Sequence, residues 1–186
     1  PCLWYHLKQC PAPCLFRADQ IEAYDISNIQ GKEATGSMVT FIGGKPDKNF
    51  YRRFKIKTVH GPNDVAMIKE VLMRRFNHPE WPYPDSILID GGKAQLNAAL
   101  EVKRQKLKGK SVAVQAGSRS GGTIQKLKIF AIAKRNNELF IEGKKEPILL
   151  KNLPDETANL ILRARDEAHR FALAYHHHLR DKSLLN

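Results

Sequence analysis

Long apolar runs are missing from this chain of 186 residues. A bilayer-spanning helix needs about 20 consecutive apolar residues, and no segment approaches that. Nor does an apolar stretch follow a basic N-terminus, as it does in a secretory leader. Membrane and secreted readings fall away, and a cytoplasmic location is expected. Cysteine is scarce: the three present, Cys2, Cys10 and Cys14, all fall in the first 14 residues. An odd number without an export signal argues against a disulfide framework. Acidic residues are short too, with 19 Asp and Glu against 31 Lys and Arg, a formal charge of +12.

What is present is enough to fold. Hydrophobic residues make up 42% and charged residues 27% of the chain, which excludes a disordered tail. The length suits one domain with a short appendage. Surplus positive charge on a surface favours polyanions, whose condensed counterions it releases, so nucleic acid is the leading partner class. The alternative is a merely solvated basic face. Because Pro1 stands where an initiator Met would, the chain is expected to be a piece of something longer.

Residues 1–17, PCLWYHLKQCPAPCLFR, lack helix or strand periodicity and read as the appendage; residues 18–186 read as one domain. IEAYDIS, TGSMVTFI and YRRFKIK form an antiparallel meander, the last two joined as a hairpin through Gly43, Gly44 and Pro46. In the third run Phe54 and Ile56 alternate with Arg53, Lys55 and Lys57, giving one apolar and one cationic face. Asn63 offers an N-cap to a helix over 63–76 carrying Val65, Ile68, Leu72 and Phe76. SILID is a strand covered on both faces; Gly91 and Gly92 end it, and KAQLNAALEV starts a second helix. Residues 103–123 show no apolar period and read as a loop. LKIFAIAK, NNELFIE and EPILL are strands. Pro154, Asp155 and Glu156 open a long helix with the stripe Leu160, Ile161, Ala164, Ala168, Phe171, Ala172, Tyr175 and Leu179. This order fits an α/β fold, a ribonuclease-H-like mixed sheet with an antiparallel meander and flanking helices.

Three places carry carboxylates or imidazole where chemistry needs them. Asp25 lies in the first strand, where burial is costly without a partner or a metal; a strand edge in solvent is the plainer reading. Asp90 ends SILID, at the carboxyl end of a parallel strand where ligands gather, or else caps the next helix. Asp166 and His169, three apart in the last helix, face one side as an ion pair or packing histidine. Together Asp25, Asp90 and His169 make an oxygen and imidazole set that suits Mg²⁺ or Mn²⁺.

IEAYDISNIQG, GSMVTFIGGKPDKNFYRRFKIKTVHGPNDVAMIKEVLMRR, ILIDGGKAQLNAALEV and RARDEAHRFALAYHHHLR resemble, in order, the motifs of the C-terminal nuclease domain of the UvrC family of excinucleases, from nucleotide excision repair. The match covers residues 20–182 apart from 103–125. PCLWYHLKQCPAPC is similar to that family's cysteine-rich segment. The resemblance implies a metal-dependent DNA endonuclease making the 5′-side incision at damaged double-stranded DNA, with UvrB and UvrA as partners. It implies Asp25, Asp90 and His169 as catalytic residues and metal ligands, and Asp64 as a further acidic residue that capping explains equally well. Asp25 and Asp90 would ligate one ion, and His169 would ligate it or stand where related enzymes carry a carboxylate. Phe16 and Arg17 run almost directly into Gln20, where the family has its UvrB-docking hairpin, so an abridged or fragmentary form is expected.

Arg52, Arg53, Lys55 and Lys57 would form a ridge for DNA phosphates, joined by Lys93 after the Gly91–Gly92 turn and by Arg170 beside His169. For the four ridge residues a solvated side chain is an equally open reading, and for Gly91, Gly92 and Lys93 a simple strand-to-helix turn is. The spacing of Cys2, Cys10 and Cys14, with His6 between, permits zinc, while the resemblance associates the segment with an iron–sulfur cluster that needs one more cysteine. His176, His177 and His178 read as a wet helix end. The competing function is a catalytically inactive DNA-binding or structural module of the same fold.

Overall fold

The computed structural model of the chain describes residues 20–27, 34–59, 61–108, 123–134 and 136–184, with side chains described to residue 174. Cys2, Cys10, Cys14 and His6 lie outside the described residues, as do residues 109–122 of the expected loop and the side chains of residues 175–184.

The sheet is built outward from β1 (Gln20–Ser27), which pairs antiparallel with β2 (Thr35–Ile42) and parallel with β5 (Ser86–Asp90). On the outer edge of β2 lie β3 (Lys45–Pro46) and β4 (Arg52–Lys55), separated by a 3₁₀ turn at Lys48–Phe50. Phe41 faces Pro46 and Met38 faces Arg52. Two residues of β2 (39–40) therefore answer five of its partner (47–51): the expected third strand YRRFKIK forms as β4, but the connection before it is no plain tight turn and holds β3 and the 3₁₀ turn. The turn into β3 uses Gly43 and Gly44 at φ of 56° and 77°, conformations that cost other residues a steric penalty. On the far side β6 (Lys128–Ala133) runs parallel to β5, and β7 (Glu138–Ile141) and β8 (Ile148–Leu149) follow antiparallel. This mixed sheet, with its meander leading into parallel crossovers, is the ribonuclease-H-like arrangement that the order of elements in the sequence implies.

Among the described residues, three helices flank it: α1 (Asp64–Arg75), α2 (Lys93–Lys108) and α3 (Asp155–Leu184). Asn63 caps α1, its side chain accepting from the Ala66 amide at 3.0 Å. The second helix outruns its expected end. Lys103, in the stretch that lacks an apolar period, is helical and buried, and donates to the Leu127 carbonyl at 2.6 Å and to both Glu142 carboxylate oxygens at 2.9 Å. That pairing satisfies a charge that the local pattern assigns to solvent.

Strand alternation sorts the core into two layers. Tyr24, Met38, Phe54, Ile56, Ile87 and Ile89 face α1 and α2, whereas Ile21, Ala23, Val39, Phe41, Leu88, Phe130 and Ile132 face α3. Beneath α1 sits a buried ion pair. Arg75 donates to Glu22 through Nη2 at 2.8 Å and Nε at 3.1 Å, and to the Pro82 carbonyl at 2.6 Å, while the Tyr24 hydroxyl donates to Glu22 at 2.6 Å. Burial first, and then the Glu22 charge, hold the Tyr24 hydroxyl well above its ordinary pKa. No described helix is long and apolar enough to cross a membrane.

Candidate metal centre

Asp25 sits late in β1 and Asp90 is the last residue of β5, its parallel neighbour. In β1, position 25 shares the face of Ile21 and Ala23, and in β5, position 90 shares that of Leu88, so both carboxylates project toward α3. The helix reaches them through small residues: Ala164, Ala168 and Ala172, one turn apart, are buried against the sheet. His169 follows Ala168 and is carried to the rim of that contact. Its Nδ1 lies 3.2 Å from Asp25 Oδ2. One ligand atom from each of Asp25, Asp90 and His169 falls within 4.8 Å of the others.

The electrostatics are uneven. The Asp25 and Asp90 side chains are only 6% and 4% exposed, but that of His169 is 46% exposed. Burial pushes the Asp90 carboxyl above the ordinary aspartate value and the Asp25 charge adds to this, against the pull of Lys134 and His169. Lys134 Nζ stands 2.8 Å from Asp90 Oδ2, as a charge contact without the alignment of a hydrogen bond. Among the described residues, four buried side-chain polar atoms have no hydrogen-bond partner, and Ser27 Oγ, Ser37 Oγ and Asp90 Oδ2 are three of them. Ser37 lies directly across from Asp25, and Ser27 is two residues further along β1 on the same face. Two dry carboxylates, an imidazole and under-satisfied oxygens fit a hard divalent cation.

The remaining residues singled out in the sequence fall elsewhere. Asp64 is exposed in the first turn of α1, which packs on the opposite face of the sheet. Asp166 is exposed and ion-paired with Arg165 at 2.7 Å. Arg170 is bound by two hydrogen bonds of 2.6 Å to Glu167, which also accepts from the Tyr51 hydroxyl. The basic ridge is split. Phe54 and Ile56 are buried while Arg53, Lys55 and Lys57 are exposed, as the alternation predicts, and Arg53 lies in the row of Ser37 and Asp25 with its guanidinium 4.1 Å over the Phe171 ring. Arg52, across from Met38, turns to the other face and lies 5.0 Å over Trp81. Lys93 is exposed at the start of α2, its ammonium 3.5 Å from the Lys145 carbonyl. The Gly91–Gly92 turn closes around Gln95, which accepts from the Gly92 amide at 3.0 Å and lies where a Cβ at Gly91 would meet it at 2.9 Å. Gln95, not Asp90, therefore tends the start of α2.

Lys134, Ser27 and Ser37 do not stand out in the sequence. A signal existed for Lys134: it closes LKIFAIAK, a strand expected beside SILID, and so falls at the same carboxyl end as Asp90.

A family model described as the UvrC RNAse H endonuclease domain matches residues 15–173. The UvrABC system protein C of Dictyoglomus thermophilum is 48% identical over 168 residues, 89% of this chain and 25% of that protein. That of Methanosarcina acetivorans is 44% identical over 170 residues, 89% of this chain and 29% of that protein. The chain thus spans between 25% and 29% of the length of these two curated relatives. Among solved structures, human ENDOV aligns with a TM-score of 0.49 at 10% identity, covering 89% of this chain and 86% of that one. From the family match and the identity to these relatives, the chain belongs to the UvrC RNase H endonuclease domain family.

Proposed function

We propose that this chain is a divalent-metal-dependent DNA endonuclease domain that makes the 5′-side incision of nucleotide excision repair, acting with UvrA and UvrB. One observation carries the reading: Asp25, Asp90 and His169, drawn from two strands and a helix, converge to within 4.8 Å. Its relatives' shared name, UvrABC system protein C, supports the repair setting.

Asp25 and Asp90 would hold Mg²⁺ or Mn²⁺, with His169 beside them. A bound divalent ion supplies a nucleophile from water at neutral pH and charge stabilisation at phosphoryl oxygens. The chain's own groups prepare that chemistry. Burial by β1, β5 and α3 keeps bulk water from the two carboxylates and strengthens their field. His169 has two uses according to its tautomer: protonated at Nδ1 it donates to Asp25 Oδ2 and orients that carboxylate, and unprotonated there it offers Nδ1 as a ligand. Arg53, Lys55 and Lys57 form an exposed cationic edge on the outer strand, suited to a phosphate backbone.

The test combines binding with cleavage. Mn²⁺ binding is followed by electron paramagnetic resonance, and cleavage is assayed on nicked, bubbled and damaged duplexes with Mg²⁺ or Mn²⁺. The parent chain should bind Mn²⁺ and cleave, and Asp25→Asn and His169→Ala should each abolish cleavage. A parent that binds duplex but no Mn²⁺ is a DNA-binding module, and the nuclease reading is then wrong.

A further inference from the structure

Lys134 stands just beyond β6, two residues after Ile132, which pairs with Asp90 across the β5–β6 ladder. Its side chain is 55% exposed and its ammonium lies 2.8 Å from the nearly buried Asp90 Oδ2. The lysine thus reaches from solvent into the carboxylate pair. Two dry carboxylates at this separation need a compensating cation, and Lys134 supplies one. The contact is poorly aligned for a hydrogen bond, and a lysine is a hydrated point charge on a flexible four-carbon stem. A divalent ion taken up by Asp90 would repel an ammonium touching the same oxygen. The displaced group would remain at the mouth of the site, where a phosphodiester must approach.

We infer that Lys134 is an exchangeable cation of the centre: it neutralises Asp90 before metal enters, and metal entry releases it to contact a phosphate oxygen of bound DNA. The inference rests on the metal-centre reading given under Proposed function and adds a substrate-contacting residue to it. No bond is made or broken in the exchange, and no proton need move.

Two measurements on the parent chain, Lys134→Gln, Lys134→Arg and Asp90→Asn test it. The first is Mn²⁺ affinity without DNA, by electron paramagnetic resonance. Removal of a competing cation should tighten Mn²⁺ binding several-fold in Lys134→Gln, whereas a lysine that merely braced Asp90 would leave it unchanged or weaker. The second is the salt dependence of duplex binding in Ca²⁺ and in EDTA at matched ionic strength. In Ca²⁺ the slope for Lys134→Gln should be shallower than the parent's by about one unit, the share of one phosphate contact. In EDTA the two slopes should coincide, and Lys134→Arg should restore the parent's slope in Ca²⁺.

Unchanged or weaker Mn²⁺ binding by Lys134→Gln overturns the exchange. Equal slopes in Ca²⁺ overturn the phosphate contact, and a deficit present in EDTA as well shows a permanent contact and overturns the switch. If parent and Asp90→Asn alike bind no Mn²⁺, the metal centre falls and this inference with it. If the parent binds Mn²⁺, Asp90→Asn does not and Lys134→Gln matches the parent, only the role of Lys134 falls.

Discussion

Asp25 and His169, 144 positions apart in the chain, lie with Oδ2 and Nδ1 3.2 Å from each other. The contact ties the central strand to the long helix at the place where β5 delivers a second carboxylate, and it sets function against stability. The charge of Asp25 helps raise the Asp90 carboxyl above its ordinary value, so the two repel.

Replacing Asp25 with asparagine removes that repulsion while keeping the shape. In EDTA the variant should unfold at the parent's temperature or higher, gaining up to about 1 kcal/mol. Mn²⁺ should raise the parent's melting temperature by mass action but leave the variant unmoved. Calorimetry with and without Mn²⁺ reads both effects. A clear destabilisation of Asp25→Asn in EDTA would show that the carboxylate serves the fold instead.

The Glu22–Arg75 pair predicts the opposite behaviour. Both side chains are at most 2% exposed, and Glu22 also accepts from Tyr24. Glu22→Leu strands a buried guanidinium and should cost about 3–5 kcal/mol in denaturant unfolding. Adding Arg75→Met should recover most of that loss, because no orphaned charge remains. A double variant no more stable than Glu22→Leu alone would mean that the pair is needed in itself.

The contrast between these two sites bears on what a sequence can disclose. Asp25, Asp90 and His169 are singled out by the motifs YDIS, IDGG and DEAHR and the resemblance these carry. Each taken alone has a plainer reading, and it is the packing of β1, β5 and α3 that brings them within 4.8 Å. The faces of the outer strand are legible from alternation: the buried Phe54 and Ile56 alternate with the exposed Arg53, Lys55 and Lys57. Partners chosen in three dimensions are not. Nothing in the local pattern pairs Glu22 with Arg75 before β1 and α1 are packed. Lys103 looks like loop until Glu142 and the Leu127 carbonyl meet its ammonium. Arg170 stands next to His169 in sequence, yet α3 turns it toward Glu167. The short β3 and the 3₁₀ turn at Lys48–Phe50 escape because the connecting segment GGKPDKN carries turn residues and no alternation.

Gly36 offers a packing test remote from the carboxylates. It lies in β2 opposite Phe54, and a Cβ there would fall 2.5 Å from Val71 Cγ2. Gly36→Ala should therefore force α1 outward and destabilise the chain by about 1–3 kcal/mol, the usual range for overpacking. Val71→Ala opens a cavity and is destabilising on its own. Combined, the two should be less harmful than the sum of the single changes by at least about 0.5 kcal/mol, since neighbours sharing a space couple. Strict additivity in denaturant titrations would show that β2 or α1 shifts freely and that the close fit has no energetic weight.

Glu70 carries the pH prediction. Burial alone would raise its carboxyl, but hydrogen bonds from the Thr58 hydroxyl and the Thr58 and Lys57 amides, with the charge of Arg74, outweigh this and hold it below the ordinary glutamate value. A group whose folded pKa is depressed binds its proton more readily in the unfolded chain. Its stabilisation is therefore complete above the unfolded value, about 4.3, and drains away as pH falls through the lower folded value. Glu70→Gln keeps the shape but loses the charge-assisted part of three hydrogen bonds, at about 1–2 kcal/mol near pH 7. The gap between parent and variant should stay constant from about pH 7 to pH 5.5 and then narrow steadily toward pH 3. Urea titrations across that range measure it directly, and a gap that widens on acidification would reverse the sign and rule out an ionised Glu70 as the clamp between α1 and the segment after β4.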